Sequence, residues 1–507
     1  MTEIHEAEAR LYNLWGEISD LQSTQELLDW DQETYMPGAA HEARARMCGT
    51  LAGVKHRMMT DDSLWESLLE CRQSAQADSV LAHQVRVAER ELSDARKIPE
   101  ALARALAEAR SRGTAAWQKA RQEGRFEIFQ PALEELVRLT REEAAALSPS
   151  GPAYDALIGK FEPGMTEDQL VPIFDALVGE LVPLVRAIGE SESEVDESAV
   201  LGHFPEAGQR ALAIHAARGL GFSFESGRLD LTAHPFCIGI APSDVRLTWR
   251  FDEGDVRSGL FGVLHEAGHG LYEQGLPAEW WRKPLGAAVS LGIHESQSRL
   301  VENQIGRHRG FWRWLWPAFL EHFPDAASSS SAEQLWPSLH VVRPSLIRVE
   351  ADETTYNLHV AVRFHLERAL FRGDLEVADL PEAWDDAYEE MLGVRAQNPV
   401  DGVLQDIHWS QAIFGYFPTY TLGSLNAAQL FEAARRDLGL EDEADLEEAL
   451  ARGELTPIRD WLRENVHAHG SRYDAAELIE RATGAPPSPD ALLRSLRRHA
   501  REIYGVE

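Results

Sequence analysis

The sequence predicts a mainly α-helical protein that carries one small antiparallel β-sheet. Three observations predict it. Stretches such as ELSDARKIPEALARALAEARSRGTAAW repeat apolar residues at helical spacing and are rich in Ala, Leu, Glu and Arg. One region alone, from about Gly227 to Arg257, is β-prone: LDLTAHPFCIGI and DVRLTWRFD, separated by APS, read as strands of one sheet. Helical patterns then resume and run to the C-terminus, broken by the Ser-rich DAASSSSAE and the turn-rich GAPPSPD.

In chain order, residues 1–145 read as long helices. SPSGPAYDALIGKFEPGMTEDQL is punctuated by Pro and Gly and ends in a capping box from Thr166 to Gln169, which predicts a helix starting near 167. The sheet occupies 227–257. Leu260, Phe261, Leu264 and Leu271 then form an apolar stripe, with Gly275 and Pro277 as a stop, so a helix carries FGVLHEAGHGLYEQG. In LGIHESQSRLVEN, Ile293, Leu300 and Val301 alternate with Glu295, Arg299 and Glu302 as on a second amphipathic helix. A metal-site region over 258–425 and C-terminal helices over 426–507 complete the chain. Length alone suggests about three domains, but chains of this size often merge these into one body and no internal repeat is found, so 1–507 reads as one domain.

Composition narrows the function classes. With 507 residues, 44% hydrophobic and 26% charged, the chain can bury a large core, and it has no apolar run long enough to span a bilayer. The start, MTEIHEAEARLYNLWGE, lacks the basic and apolar parts of a secretion signal. Cys48, Cys71 and Cys237 are an odd number and widely spaced, which suggests neither a disulfide framework nor a thiolate metal site. A cytoplasmic location is expected. The 83 acidic and 49 basic side chains give a net charge of −34, which disfavours nucleic acid and membrane surfaces as partners. Five lysines (Lys55, Lys97, Lys119, Lys160, Lys283) leave arginine as nearly every cation. So acidic a surface fits adaptation to high salt; a GC-rich genome would explain the arginines equally well.

The chemistry lies in HEAGH. On a helix, His265 and His269 project from one face and can both direct a ring nitrogen at one ion about 2.0–2.1 Å away. Glu266 points about 100° round the helix, where it can act on a water as general base. HExxH is short enough to arise in about one shuffled chain in twelve, so a third ligand is needed. Glu295 supplies a carboxylate on the next helix, and two His with one carboxylate leave a fourth position open, as in catalytic zinc sites. His294 is the rival; adjacent residues diverge by about 100°, so only one of the pair faces the ion.

These motifs belong to an ordered set. LDWDQETYMPG (28–38), HPF (234–236), DVRLT (244–248), HEAGH (265–269), HESQSR (294–299), IRVEAD (347–352) and GVLQDIHW (402–409) together resemble the carboxypeptidase Taq family of metallocarboxypeptidases. Trp249 and Val301 depart from the family pattern, outside the metal positions. The resemblance implies a mostly helical fold with a deep active-site groove, similar to neurolysin and angiotensin-converting enzyme, and often dimeric. It implies removal of single residues from peptide C-termini, with His265, His269 and Glu295 holding one zinc per chain, cobalt being possible, and Glu266 as base. By similarity to related helical zinc peptidases, His408 and Tyr420 of GYFPTY and its surroundings would donate to the oxyanion, with Tyr416 near substrate.

His234 in HPF falls among the substrate-contact positions. Arg348 in IRVEAD is the expected reader of the peptide carboxylate, with Arg246 as alternative; the plain structural reading pairs Arg348 with Glu350 or Asp352. An endo-acting zinc oligopeptidase, or a non-catalytic zinc-containing peptide-binding scaffold, are the competing functions. An intact Glu266 argues against the scaffold, because a structural metal needs no base.

Overall fold

In a computed structural model that describes residues 2–327 and 330–506, the helical periodicity of the first 145 residues becomes six long helices. They are Thr2–Thr34, His41–Met59, Asp62–Ser74, Val80–Lys97, Glu100–Glu123 and Gln130–Leu147. Ser328 and Ser329, inside the expected Ser-rich break, lie outside the described residues. The chain divides into two compact units, one of Met1–Arg96, Asp196–Leu339 and Ala427–Pro486, the other of Lys97–Val195, His340–Asn426 and Pro487–Glu507.

In the first unit, Leu11, Trp15 and Ile18 of the opening helix pack with Leu64, Leu68 and Leu92. Each such side chain, removed from water, contributes about 1.5–3 kcal/mol. The sheet has three strands, β1 (Gly227–Leu231), β2 (Cys237–Ala241) and β3 (Asp244–Trp249), in the order β1-β3-β2. It is mixed rather than antiparallel: β2 pairs antiparallel with β3, but β1 pairs parallel with β3 from Gly227 opposite Val245 to Leu231 opposite Trp249. The first β-prone run is two strands. Pro235 has no N–H and cannot extend a ladder; the chain crosses the end of the sheet there, runs back as β2 along the far edge of β3, and enters β3 through the short turn at Pro242 and Ser243.

Three of the quoted motifs meet on this sheet. Thr248 Oγ1 accepts from Phe236 N at 2.8 Å and donates to Phe236 O at 2.9 Å, joining HPF to DVRLT. Trp30 lies under the Arg246 guanidinium at 4.2 Å, and Tyr35 donates to Asp230 at 2.6 Å, which ties the N-terminal motif to the same strands. Beneath the sheet runs helix Val256–Glu273, capped by the Asp255 side chain. Gly270 allows the approach: a Cβ there would sit 2.6 Å from the Phe222 ring and 2.8 Å from Leu247. Trp249 and Val301, the departures from the family pattern, are both buried packing residues.

In the second unit, helix Glu167–Gly189 starts with the expected Thr166 and Gln169 capping box. Phe174 of this helix stacks on Phe364 of helix Tyr356–Arg372 at 4.2 Å. That helix is buried along most of its length and contributes the fully buried Arg363. Among the described residues, no helix is long and apolar enough to cross a membrane.

Candidate active site

Helix Val256–Glu273 presents His265, Glu266 and His269, and helix Leu291–Arg299, capped by Ser290, presents Glu295. The Nε2 atoms of His265 and His269 lie 3.6 and 3.4 Å from Glu295 Oε2. Ligand atoms about 2.0–2.1 Å from a tetrahedral ion stand about 3.3 Å apart, so the three form a cradle of the right size. His294 does not join it. Its Nε2 pairs with Glu273 at 2.8 Å.

The cradle is braced from behind. His265 Nδ1 lies 2.8 Å from Glu302 Oε2, which leaves Nε2 for an ion. Arg299 donates to Glu295 at 2.7 Å and to Glu302 at 3.2 Å. Arg299 and Glu302, which share the polar face of this amphipathic segment with Glu295, point into the site with it. Burial opposes the charge on Glu302, but Arg299 and His265 outweigh it and bring its pKa to about 2. Burial likewise opposes the Glu295 carboxylate, and Arg299 and His265 hold it well below the usual range. His265, although disfavoured as a cation by burial, rises to about 9 beside Glu295 and Glu302. Burial and then His294 lower His269 to about 3.

Glu266 is 5% exposed, and among the described residues its Oε2 has no hydrogen-bond partner. Burial pushes this carboxyl up to about 7 against the pull of His265. An unsatisfied buried carboxylate oxygen beside a His₂Glu cradle fits a divalent ion with a water for Glu266 to act on. A second group, His340, Glu353 and His499, differs in kind. Both Nδ1 atoms lie on Glu353 Oε1 at 2.6 and 2.8 Å, which are hydrogen-bond lengths rather than the wider spacing of an ion cradle.

The other expected residues fall in two places. His234 is exposed in the β1–β2 connection, and Arg246 pairs with Asp244 at 2.9 Å while stacked on Trp30. In the second unit, Arg348 is buried and donates to Asp406 Oδ1 through Nε at 3.1 Å and Nη2 at 2.8 Å, rather than to Glu350 or Asp352. Asp352 accepts instead from Arg343, Thr354 and Thr355. Asp406 also takes Arg363 Nε at 2.6 Å, so two buried guanidiniums share one carboxylate. His408 Nε2 lies 3.4 Å from Tyr420 OH, and the Tyr416 ring centre is 5.3 Å from that of His408. Burial lowers His408 to about 4; Asp406 opposes this and Arg348 and Arg363 reinforce it, so the imidazole is neutral at pH 7.

Motif reading missed Glu302, Asp406 and Glu367. Asp406 was within reach, being part of GVLQDIHW. Glu367 is fully buried and accepts from Tyr154 at 2.8 Å, Trp409 at 2.8 Å and Gly415 N at 2.8 Å, which fixes both ends of the segment after His408. No local pattern marks it.

The model of the carboxypeptidase Taq (M32) metallopeptidase family matches residues 10–500. The chain belongs to this family. Thermostable carboxypeptidase 1 of Thermus thermophilus is 44% identical over 501 residues, covering 96% of this chain and 97% of the relative. Carboxypeptidase 1 of Bacillus subtilis is 36% identical over 505 residues, covering 99% of each. Among solved structures, the M32 carboxypeptidase of Deinococcus radiodurans superposes with a TM-score of 0.94 at 38% identity, over 99% of this chain and 100% of that one. The mainly helical fold with one small sheet is therefore the fold of M32 carboxypeptidases.

Proposed function

We propose that this M32 family member removes single amino acids from the free C-terminus of peptides, with its whole length acting as one catalytic domain. The observation that carries the reading is the His265, His269 and Glu295 cradle with the unsatisfied Glu266 carboxylate beside it. One divalent ion per chain, zinc first and cobalt second, would polarise the scissile carbonyl and make water acidic enough to ionise near neutral pH.

Glu266 takes the proton from the attacking water and delivers it to the departing amine, a role its raised pKa suits. Glu302 and Arg299 hold His265 and Glu295 in place for this. His408 and Tyr420 take the oxyanion-donor role, which is supported by their mutual contact and by the neutral state of His408. Tyr416, packed on the His408 ring, takes a substrate contact, and so does the exposed His234.

Arg348 takes the peptide carboxylate. In its favour, Arg348 and Arg363 share the Asp406 carboxylate, leaving a buried surplus of positive charge, and Arg348 Nη1 makes a long 3.4 Å contact to Tyr356. Arg246, committed to Asp244 and Trp30, is the weaker alternative. Family resemblance further supports a cytoplasmic homodimer. The deciding experiment incubates the zinc-loaded protein with peptides bearing free or amidated C-termini and reads the products by mass. Stepwise loss of single residues from the free peptides is expected; cleavage at internal bonds of both would replace this reading with an endo-acting oligopeptidase.

A further inference from the structure

His265 and His269 must both keep a proton on Nδ1 if Nε2 is to offer a lone pair to an ion. For His265 a carboxylate secures this directly, through Glu302. At His269 a backbone carbonyl takes the place of the carboxylate. The His269 Nδ1 faces two atoms of one residue, the His294 carbonyl oxygen at 3.0 Å and the His294 ring Nδ1 at 2.6 Å.

Two ring nitrogens at that distance share one hydrogen, so only one of them can be protonated. The His294 carbonyl oxygen, which only accepts, places it on His269. On the far side of the His294 ring, Nε2 lies 2.8 Å from Glu273 Oε1, so the Nε2 hydrogen points at the carboxyl group and Nδ1 is left to accept from His269. The shared hydrogen then belongs to His269. The arrangement has room made for it on the sheet: a Cβ on Gly239 of β2 would sit 2.2 Å from Glu273 Oε2, and this glycine lies where the β2–β3 pairing slips register. Tyr272 packs on the other side of the His294 ring, with centres 5.3 Å apart.

We propose that Glu273 and His294 are positioning residues which, as a two-step relay, fix the tautomer and ring orientation of His269. His294 is thus the brace of a ligand and not a ligand. The proposal rests on the metal reading above, and its test separates the two. Three variants probe it: Glu273→Gln, whose amide can donate to His294 Nε2 and reverse the tautomer; His294→Phe, which keeps the ring against Tyr272; and Gly239→Ala, which leaves every nitrogen in place but displaces the Glu273 carboxylate. Zinc affinity is measured by chelator competition on purified full-length protein, alongside the visible spectrum of the cobalt form.

Each variant should bind zinc about 10- to 100-fold more weakly, the usual effect of removing a ligand's hydrogen-bond partner, with a shifted cobalt spectrum. Affinity within twofold of wild type in Glu273→Gln and Gly239→Ala would overturn the relay, and these two decide the matter if His294→Phe fails to fold. Complete loss of zinc in His294→Phe, with zinc retained in Glu295→Ala, would make His294 a ligand and also overturn it. Wild-type affinity in both His269→Ala and Glu295→Ala would instead remove the metal reading itself.

Discussion

Gly268 and Gln297 meet backbone to side-chain-free backbone: a Cβ on Gly268 would stand 2.4 Å from the Gln297 carbonyl oxygen. This contact sets how closely the helix bearing His265 and His269 approaches the one bearing Glu295. Gly268→Ala should force them apart, lowering stability by about 1–3 kcal/mol, as overpacking does, and weakening zinc binding as well. Thermal melts and chelator competition on the same preparation check both effects; unchanged zinc affinity would show that the ligands tolerate the displacement.

Glu266→Gln should retain zinc and lose activity by about 10²- to 10⁴-fold, the usual contribution of a general base. Glu295→Ala should lose both. Metal analysis of the two purified variants distinguishes a base from a ligand, and full occupancy in Glu295→Ala would move the third ligand elsewhere.

Arg348→Ala should cost about 2–5 kcal/mol in kcat/KM on peptides with a free carboxylate, by analogy with truncated buried charge pairs. Because Arg363 still neutralises Asp406, the fold should survive the change. Activity on amidated peptides, already poor, should barely move. The ratio of the two activities is the readout, and an equal loss on both would return Arg348 to a scaffold role with Asp406.

Burial raises the Glu367 carboxyl to about 7, although Gly415 N, Trp409 and Tyr154 all favour its ionised form. The folded protein therefore holds a proton here that the unfolded chain releases above its ordinary pKa of 4.5. Stability from this group is complete below that value and declines as pH rises towards 7, by roughly 3 kcal/mol in all at about 1.4 kcal/mol per pKa unit. Denaturation of wild type and Glu367→Gln from pH 5 to 8 should show a downward slope in wild type and a shallower one in the variant, where Glu266 still contributes over the same range.

Much of this site was legible in the sequence because its parts are local. His265, Glu266 and His269 follow from helical spacing, and Glu295 from the need for a third donor within reach. Helical periodicity put Glu295, Arg299 and Glu302 on one polar face and the need for a third ligand turned Glu295 towards the ion, but a repeat of charged residues does not say that Arg299 and Glu302 follow it into the site. The antiparallel sheet was expected because propensity marks strands without pairing them, and the break at Pro235 sends the chain round β3. Arg348 and Asp406 are 58 residues apart, and no local pattern links them even though both lie in quoted motifs.

The net charge of −34 leads to a further expectation. If it reflects adaptation to high ionic strength, the melting temperature should climb steeply between low salt and molar potassium chloride, as repulsion among carboxylates is screened. A flat curve would favour codon usage as the origin of the arginine excess.

The bond between His265 and Glu302 spans 37 positions of the chain, whereas that between Tyr35 and Asp230 spans 195. Closing the longer loop from a disordered chain costs about 1.5 kcal/mol more in entropy, since the cost grows with the logarithm of length. The pair of helices proposed to cradle the ion is thus within reach of a chain whose distant segments are still unjoined. Metal capture need not wait for the opening helix to dock on the sheet, and an ion bound at that stage would favour the native pairing before most long-range contacts exist.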